Sequence, residues 1–479
     1  MDQKLTPLFD ALVQHINNNP HSYHVPGHKY GSLFPEKGIN FFEDILRIDA
    51  TELTGLDDLH APESAIAQAQ QLTAELYGVD QSFFLVNGST AGNLAMVLAV
   101  CEKNDTVLVQ RNSHKSIFNS IQLAGVKPVF LAPYYDDIVK SAAHVPIDTI
   151  KRAIKEHPKA KAIILTNPNY YGQSVDLTEV ISYAHDYDIP VLVDEAHGAH
   201  FNLGQPFPIS AIECGADIVV HSAHKTLPAM TMGSFIHVKS NLVDINNLVY
   251  YLQLFQTSSP SYPIMASLDL ARYYLNDIKH TSIINQLVKK INQYTEVLHS
   301  IPQIKVARTN NPSILTDPLK VTIQSNCVLS GYDLQKLFED YGVYTELADP
   351  DNVLFIFPLS NDENLFKPLL SIENILHSVE ITKTKSSNVK MYSNDNISTL
   401  TISYSQLKSY NKKVIPLKDA VGQLCAQMLI PYPPGVPLLI VGEVITESHI
   451  ERILNFKELG AKFHGGQLLK QNEIEIFDR

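Results

Sequence analysis

The 479-residue chain is 45% hydrophobic and 18% charged, which excludes a disordered chain and, at ~150 residues per domain, gives about three folding units. Its 37 basic and 50 acidic side chains leave a formal charge of −13, which opposes binding to nucleic acid or anionic lipid. Four scattered cysteines (Cys101, Cys214, Cys327, Cys425) without a Cys-x-x-Cys pair argue against a disulfide framework or zinc ribbon, and no apolar run approaches the ~18 residues of a membrane span. The start is acidic where a leader would be basic and then apolar, so the expectation is a cytoplasmic protein with no membrane partner.

Residues 1–60 read as an N-terminal segment ahead of a large domain over 61–275. There helix-like and strand-like stretches alternate. Ala61-Pro62-Glu63-Ser64 opens a helix, Ile66, Ala69, Leu72 and Leu76 recur at helical spacing, and Gly78 ends it. Short apolar strands follow at 82–86, 106–109, 128–131, 162–165, 190–193 and 217–220. Runs this short and this apolar suit parallel strands covered on both faces, so an α/β fold with a mostly parallel sheet is expected. Its ligands belong beyond the C-terminal strand ends. A long helical region over 267–300 breaks near His280, and a smaller mixed region over 276–385 carries weaker strands at 319–323 and 352–356. A polar stretch supplies a linker over 386–396, and 397–479 forms the C-terminal region. Within it, residues 430–440 hold too much proline for a central strand and read as an ordered loop.

Asp194 sits just past one apolar strand and Lys225 follows the next, which sets a carboxylate and an amine at neighbouring strand ends. That pair suits pyridoxal phosphate: the lysine forms a Schiff base with the aldehyde, and the carboxylate keeps the pyridine nitrogen protonated so that the ring accepts electrons. Asn87-Gly88-Ser89-Thr90-Ala91-Gly92 leaves a strand and opens a helix, where free N–H groups and two hydroxyls can converge on a phosphate dianion. An ordinary helix cap has the same spelling. His114 follows the next strand and suits either stacking on a flat ring or capping a helix; both readings stay open. The pairs His197/His200 and His221/His224 are of metal-ligand type, yet neither is embedded as His-Glu-x-x-His and no third ligand follows, so no metal is expected.

Six stretches, in order along the chain, resemble the bacterial Orn/Lys/Arg decarboxylases, which are fold-type I pyridoxal-phosphate enzymes. They are His24-Val25-Pro26-Gly27-His28-Lys29, the run from Leu56 to Pro62, Arg111-Asn112-Ser113-His114-Lys115-Ser116, Asp194-Glu195-Ala196-His197, Ser222-Ala223-His224-Lys225 and the run from Pro431 to Pro437. The match looks closest to the short Gram-positive-type members, which lack the N-terminal response-regulator-like domain of the long enzymes. The resemblance implies a fold-type I large domain with a smaller C-terminal α+β domain. It implies Lys225 as the Schiff-base lysine, Gly88, Ser89, Thr90, Ser222 and His224 at the phosphate, and Asp194 on the pyridine nitrogen. His114 would stack on one ring face and Ala196 pack on the other. His197 stands where larger members have Trp, and it joins His224 and Lys225 as an acid available to return a proton. Pro228 and Met232 depart from the family after the lysine. The loop Gln256-Thr257-Ser258-Ser259-Pro260-Ser261-Tyr262-Pro263 resembles one that reaches the neighbouring subunit's cofactor phosphate, which implies Ser259 as a cofactor contact and at least a homodimer.

The expected activity is decarboxylation of lysine, arginine or ornithine to the amine and CO₂, a reaction of polyamine biosynthesis. The alternative enzyme is a CoA-dependent α-oxoamine synthase, which shares Asp-Glu-Ala-His but follows its lysine with a glycine-rich loop; here the first glycine after Lys225 is Gly233. A pyridoxal-phosphate-binding regulator would need a DNA-binding module, which the charge opposes. Asp57, Asp58 and Glu443 are candidates for holding the substrate's distal cation, with nothing to choose among them.

Overall fold

The computed structural model describes residues 1–382, 396–432 and 435–478, so the expected linker lies outside the described residues except for Asn396. Two compact units emerge. The first comprises Met1–Val100, Pro190–Gly204 and Ile209–Ser282, and the second Cys101–Ile189, Gln205–Pro208 and Ile283–Arg479. Seven strands carry the large-domain architecture: β1 (Gln81–Leu85), β2 (Thr106–Gln110), β3 (Lys127–Leu131), β4 (Ala162–Thr166), β5 (Val191–Asp194), β6 (Ile218–His221) and β7 (Ser234–Val238).

In the first unit, β5 and β6 pair in parallel, whereas β7 runs antiparallel to both β6 and β1. In the second unit, β2 pairs in parallel with β3 and β4, and Ile397–Thr399 adds an antiparallel edge to β3. The fold is therefore mixed α/β with a mainly parallel sheet, as expected, and the departures fall at β1, β7 and Ile397–Thr399. A short apolar run carries no mark of direction. Because β7 reverses between them, β1, β5 and β6 still run the same way, so their C-terminal ends share one edge.

Helix α1 (Ala65–Tyr77) begins four residues later than the sequence implies. The cause is Asp57, whose carboxylate accepts the N–H groups of Glu63, Ser64, Ile66 and Ala67 at 2.8–3.2 Å and holds the 61–64 stretch outside the helix. Gly78 ends α1 in the left-handed conformation at φ +71, as its position predicts. Helix α2 (Gly88–Val100) packs so closely on the sheet that a Cβ at Gly92 would lie 2.7 Å from Leu85 Cδ1 and 3.0 Å from Val220 Cγ1. The expected long helical region divides at His280 into Tyr262–Lys279 and Ile283–His299.

The second unit also holds an antiparallel sheet that includes Lys320–Ser325 and Asn352–Ile356, close to the expected strands. Towards its C-terminal end, Asn411–Pro416 pairs with Glu473–Asp478 over a core containing Leu417, Cys425, Leu439, Ile453 and Ile474. The proline-rich 430–440 stretch corrects one expectation. Ile430–Tyr432 is a strand that among the described residues pairs with Lys462–His464, and a two-stranded ribbon tolerates the N–H that Pro431 lacks.

Candidate active site

Within the first unit the strand register lines up the chemistry. Leu85 of β1 pairs with Ser234 of β7, Phe235 with His221 of β6, and Val220 with Asp194 of β5. Gly88, Ser222 and Asp194 thus stand at one sheet edge. Asp194 is 3% exposed, and its carboxylate is held from two sides: Asn93 Nδ2 donates to Oδ2 at 2.9 Å, and the Ala196 N–H donates to Oδ1 at 3.2 Å. Two donors on separate oxygens fix the plane of the carboxylate. Asn93 escapes a sequence reading, although the signal is present: beyond the first turn it is the one polar side chain in α2.

Lys225 lies in the short helix Ala223–Thr226, and its Nζ is 3.0 Å from Nε2 of His197, which is 4% exposed. Beside it, Ser222 Oγ donates to Ser89 Oγ at 2.9 Å, bringing hydroxyls from the β6 end and the α2 N-terminus together. Gly88 begins α2 at φ +74, a conformation that suits glycine, and frees the first N–H groups of the helix. His224 is oriented by the Gly233 carbonyl, which accepts its backbone N–H at 3.2 Å and lies 2.9 Å from Nδ1. A helix N-terminus, hydroxyls and an imidazole form a donor set for a phosphate dianion. Lys225, Asp194, His197, Ala196, Ser222, His224, Gly88, Ser89 and Thr90 all belong to this one unit.

Ser259 is exposed in the loop that follows Ile245–Phe255. The start of that loop is tied to β1: Gln256 Oε1 accepts the Val86 N–H at 2.8 Å, and Asn87 Nδ2 donates to the Phe255 carbonyl at 3.3 Å. The 56–62 run joins it as well, for Tyr262 OH donates to the Asp57 carbonyl at 2.6 Å and His60 Nε2 lies 2.8 Å from the Thr257 carbonyl.

His114 belongs to the second unit and is the N-cap of Lys115–Ala124, its Nδ1 accepting the Ser116 N–H at 3.3 Å. The capping reading is thereby met, and the bond fixes the ring's orientation. Each candidate for the distal cation is already engaged. Asp57 caps α1, Asp58 accepts the His60 N–H at 2.8 Å, and Glu443 pairs with Arg111 at 2.8 Å while accepting the Ile440 N–H at 3.1 Å. Among the described residues no group of three or more His, Cys, Asp or Glu is placed to hold a metal ion. No helix among them is long and apolar enough to cross a membrane.

A family model described as Orn/Lys/Arg decarboxylase, major domain, matches residues 6–327, and the family's C-terminal domain matches 387–467. An uncharacterised Bacillus subtilis protein, YaaO, is 45% identical over 474 residues, covering 98% of each chain. An arginine decarboxylase of the same organism is 35% identical over 472 residues, covering 96% of this chain and 95% of that one. The crystal structure of the lysine decarboxylase LdcF from Francisella novicida superposes with a TM-score of 0.82 at 21% identity, over 99% of this chain and 81% of that one, which establishes the fold. With both domain models matched in order and the arginine decarboxylase aligned almost end to end, the chain belongs to the Orn/Lys/Arg decarboxylase family.

Proposed function

We propose that the protein catalyses pyridoxal-phosphate-dependent decarboxylation of lysine, arginine or ornithine, a polyamine-forming reaction. The observation that carries this reading is the 3.0 Å contact between Lys225 Nζ and His197 Nε2 in the unit that also holds Asp194 at a strand end. The donor sets fit the cofactor. Lys225 would hold its aldehyde carbon, Asp194 its ring nitrogen, and Gly88, Ser89, Thr90, Ser222 and His224 its phosphate, with His114 and Ala196 assigned to the ring faces and Ser259 to a phosphate. Bound there, pyridoxal phosphate supplies an electron sink for the pair left on Cα when CO₂ departs.

The chain's own groups divide the remaining work. Asp194, oriented by Asn93 and the Ala196 N–H, would hold a proton at the pyridine nitrogen. His197, His224 or Lys225 would return the proton to Cα, and the burial of the Asp194 and His197 side chains limits competing exchange with water. The formal charge of −13 favours the approach of a substrate with a cationic side chain. Cofactor-loaded protein given lysine, arginine and ornithine in turn should release the amine from at least one, and Lys225→Ala should lose both the visible absorption band and turnover. No amine from any of the three would overturn the assignment, and condensation with an acyl-CoA would replace it by an α-oxoamine synthase.

The same reading includes a homodimer. The N-terminal segment exposes Tyr23, Val25, Leu33, Phe41 and Phe42, with Phe41 at 86%, a concentration of large apolar side chains suited to burial against a second copy. The exposed Ser258 and Ser259 would face the partner's cofactor phosphate.

A further inference from the structure

Behind the Asp194 edge runs a buried polar row that the proposed chemistry does not use. Ser82 Oγ lies 2.8 Å from His237 Nδ1, His237 Nε2 lies 3.1 Å from His221 Nδ1, and His221 Nε2 lies 2.7 Å from Glu195 Oε2. Glu195 also accepts from Ser210 Oγ at 2.6 Å and from the Ala211 N–H at 2.8 Å. The four side chains come from β1, β7, β6 and the residue after β5. Val220 packs toward α2, so alternation puts His221 on the other face. There the Tyr77 ring covers the row, 4.4 Å from His237 and 5.3 Å from His221.

A row of this kind carries a cost in a sheet core unless every polar atom is satisfied. Here the Glu195 carboxylate meets three donors, and its side chain and that of His221 are 0% and 1% exposed. Burial, reinforced by His221, drives the His237 pKa well below 6.5. The sequence position of the central pair is the informative point. Glu195 directly follows Asp194, and His221 directly precedes Ser222. One hydrogen bond therefore joins the segment assigned to the pyridine nitrogen to the segment assigned to the phosphate. A rigid ring bound at both ends requires those anchors to keep a fixed separation.

We propose that Glu195 and His221 are positioning residues: their buried hydrogen bond clamps the ends of β5 and β6, setting the spacing between Asp194 and Ser222. Backbone bonds between the same ends, Glu195 N–H to the Val220 carbonyl at 3.0 Å and Ser222 N–H to the Ala196 carbonyl at 3.3 Å, give the clamp a stiff base. The inference rests on the proposed cofactor chemistry for its consequence but is read independently of turnover.

The test compares His221→Leu, which removes the donor, with His221→Gln, whose amide can still donate to Glu195. Three readouts are needed: the cofactor dissociation constant, the visible circular dichroism of bound cofactor, and kcat against KM. His221→Leu should weaken cofactor binding and lower kcat by about 10–100-fold, with KM within about threefold, and should change the visible dichroism. His221→Gln should recover most of each. Equal losses in the two variants, or an unchanged visible dichroism in a folded His221→Leu, would overturn the clamp. Should His221→Leu fail to fold, His221→Phe decides: it keeps a ring against Tyr77 but removes the donor to Glu195, and wild-type dichroism and kcat there would overturn the proposal. A wild-type protein that binds the cofactor without decarboxylating any basic amino acid would refute the proposed function alone, because binding and dichroism still read the clamp.

Discussion

Glu443→Ala tests how the proline-rich 430–440 stretch is held. Arg111 follows β2, and its guanidinium meets Glu443 through Nη2 at 2.8 Å and Nε at 3.3 Å, the Pro437 carbonyl at 2.8 Å and the Leu438 carbonyl at 3.3 Å. Removing Glu443 leaves the two carbonyls and strips the charge partner. For a fully buried pair that costs ~3–5 kcal/mol. The side chains are 9% and 21% exposed, so water replaces part of the loss. A cost of about 2 kcal/mol follows, which is roughly a 30-fold rise in local opening at ~1.4 kcal/mol per tenfold. The chain has no tryptophan, so amide exchange is the suitable probe. The Leu438 and Gly442 N–H groups, bonded to the Leu429 and Cys425 carbonyls at 2.8 Å, should lose about 30-fold in protection. Arg111→Met with Glu443→Leu should recover at least half of it, since no charge is left stranded. Protection within threefold of wild type in Glu443→Ala, together with a large rise in KM, would refute the reasoning and assign the carboxylate to the substrate.

Four further outcomes are expected. Asp194→Asn should retain cofactor binding within about tenfold, because the phosphate donors are untouched, and lose at least ~100-fold in turnover, as measured on reconstituted protein. Asp57→Asn should cost about 1 kcal/mol in denaturant unfolding at neutral pH. Burial alone would raise the Asp57 pKa, but the N–H groups of Glu63, Ser64, Ala67 and Asp58 outweigh it and hold the carboxyl below 3.8. That stabilisation is present in full above 3.8 and lost as pH falls through the lower folded value, so the variant should also flatten the acid limb of the stability profile. Gly92→Ala should cost about 1–3 kcal/mol in thermal unfolding, given the contacts its Cβ would make with Leu85 and Val220. Mixing Lys225→Ala subunits with subunits in which Ser258, Ser259 and Ser261 are alanine should restore activity from two inactive parents; a normally active triple-serine parent would remove the loop from the site.

Apolar runs flanked by turn residues placed all the large-domain strands described here except β7, each within a residue or two, because a buried strand has little other way to be written. Direction was not legible: Ser82–Leu85 reads like Val107–Val109, and only the partner across the ladder makes one antiparallel. The start of α1 was also misplaced, since Pro62 and Glu63 satisfy the local rules for a helix opening and the overriding contact comes from Asp57, outside the helix. The placement of Asp194 and Lys225 after neighbouring strands was legible from their spacing, whereas the contact of Asn93 with Asp194 was not, because the two lie 101 residues apart in sequence.

The segment Asp194-Glu195 illustrates how one strand end can serve two purposes. Adjacent carboxylates would repel if they shared an environment, and a linear reading gives no reason to treat them differently. The backbone ladder continues one residue beyond β5 through the Glu195 N–H and the Val220 carbonyl, so the pleat persists and sends the two side chains to opposite faces. Asp194 then takes its donors from α2 and its own turn, while Glu195 takes Ser210, the Ala211 N–H and His221 on the far side. Each carboxylate is therefore satisfied by its own set of donors on its own face of the sheet, although the two residues are adjacent in sequence.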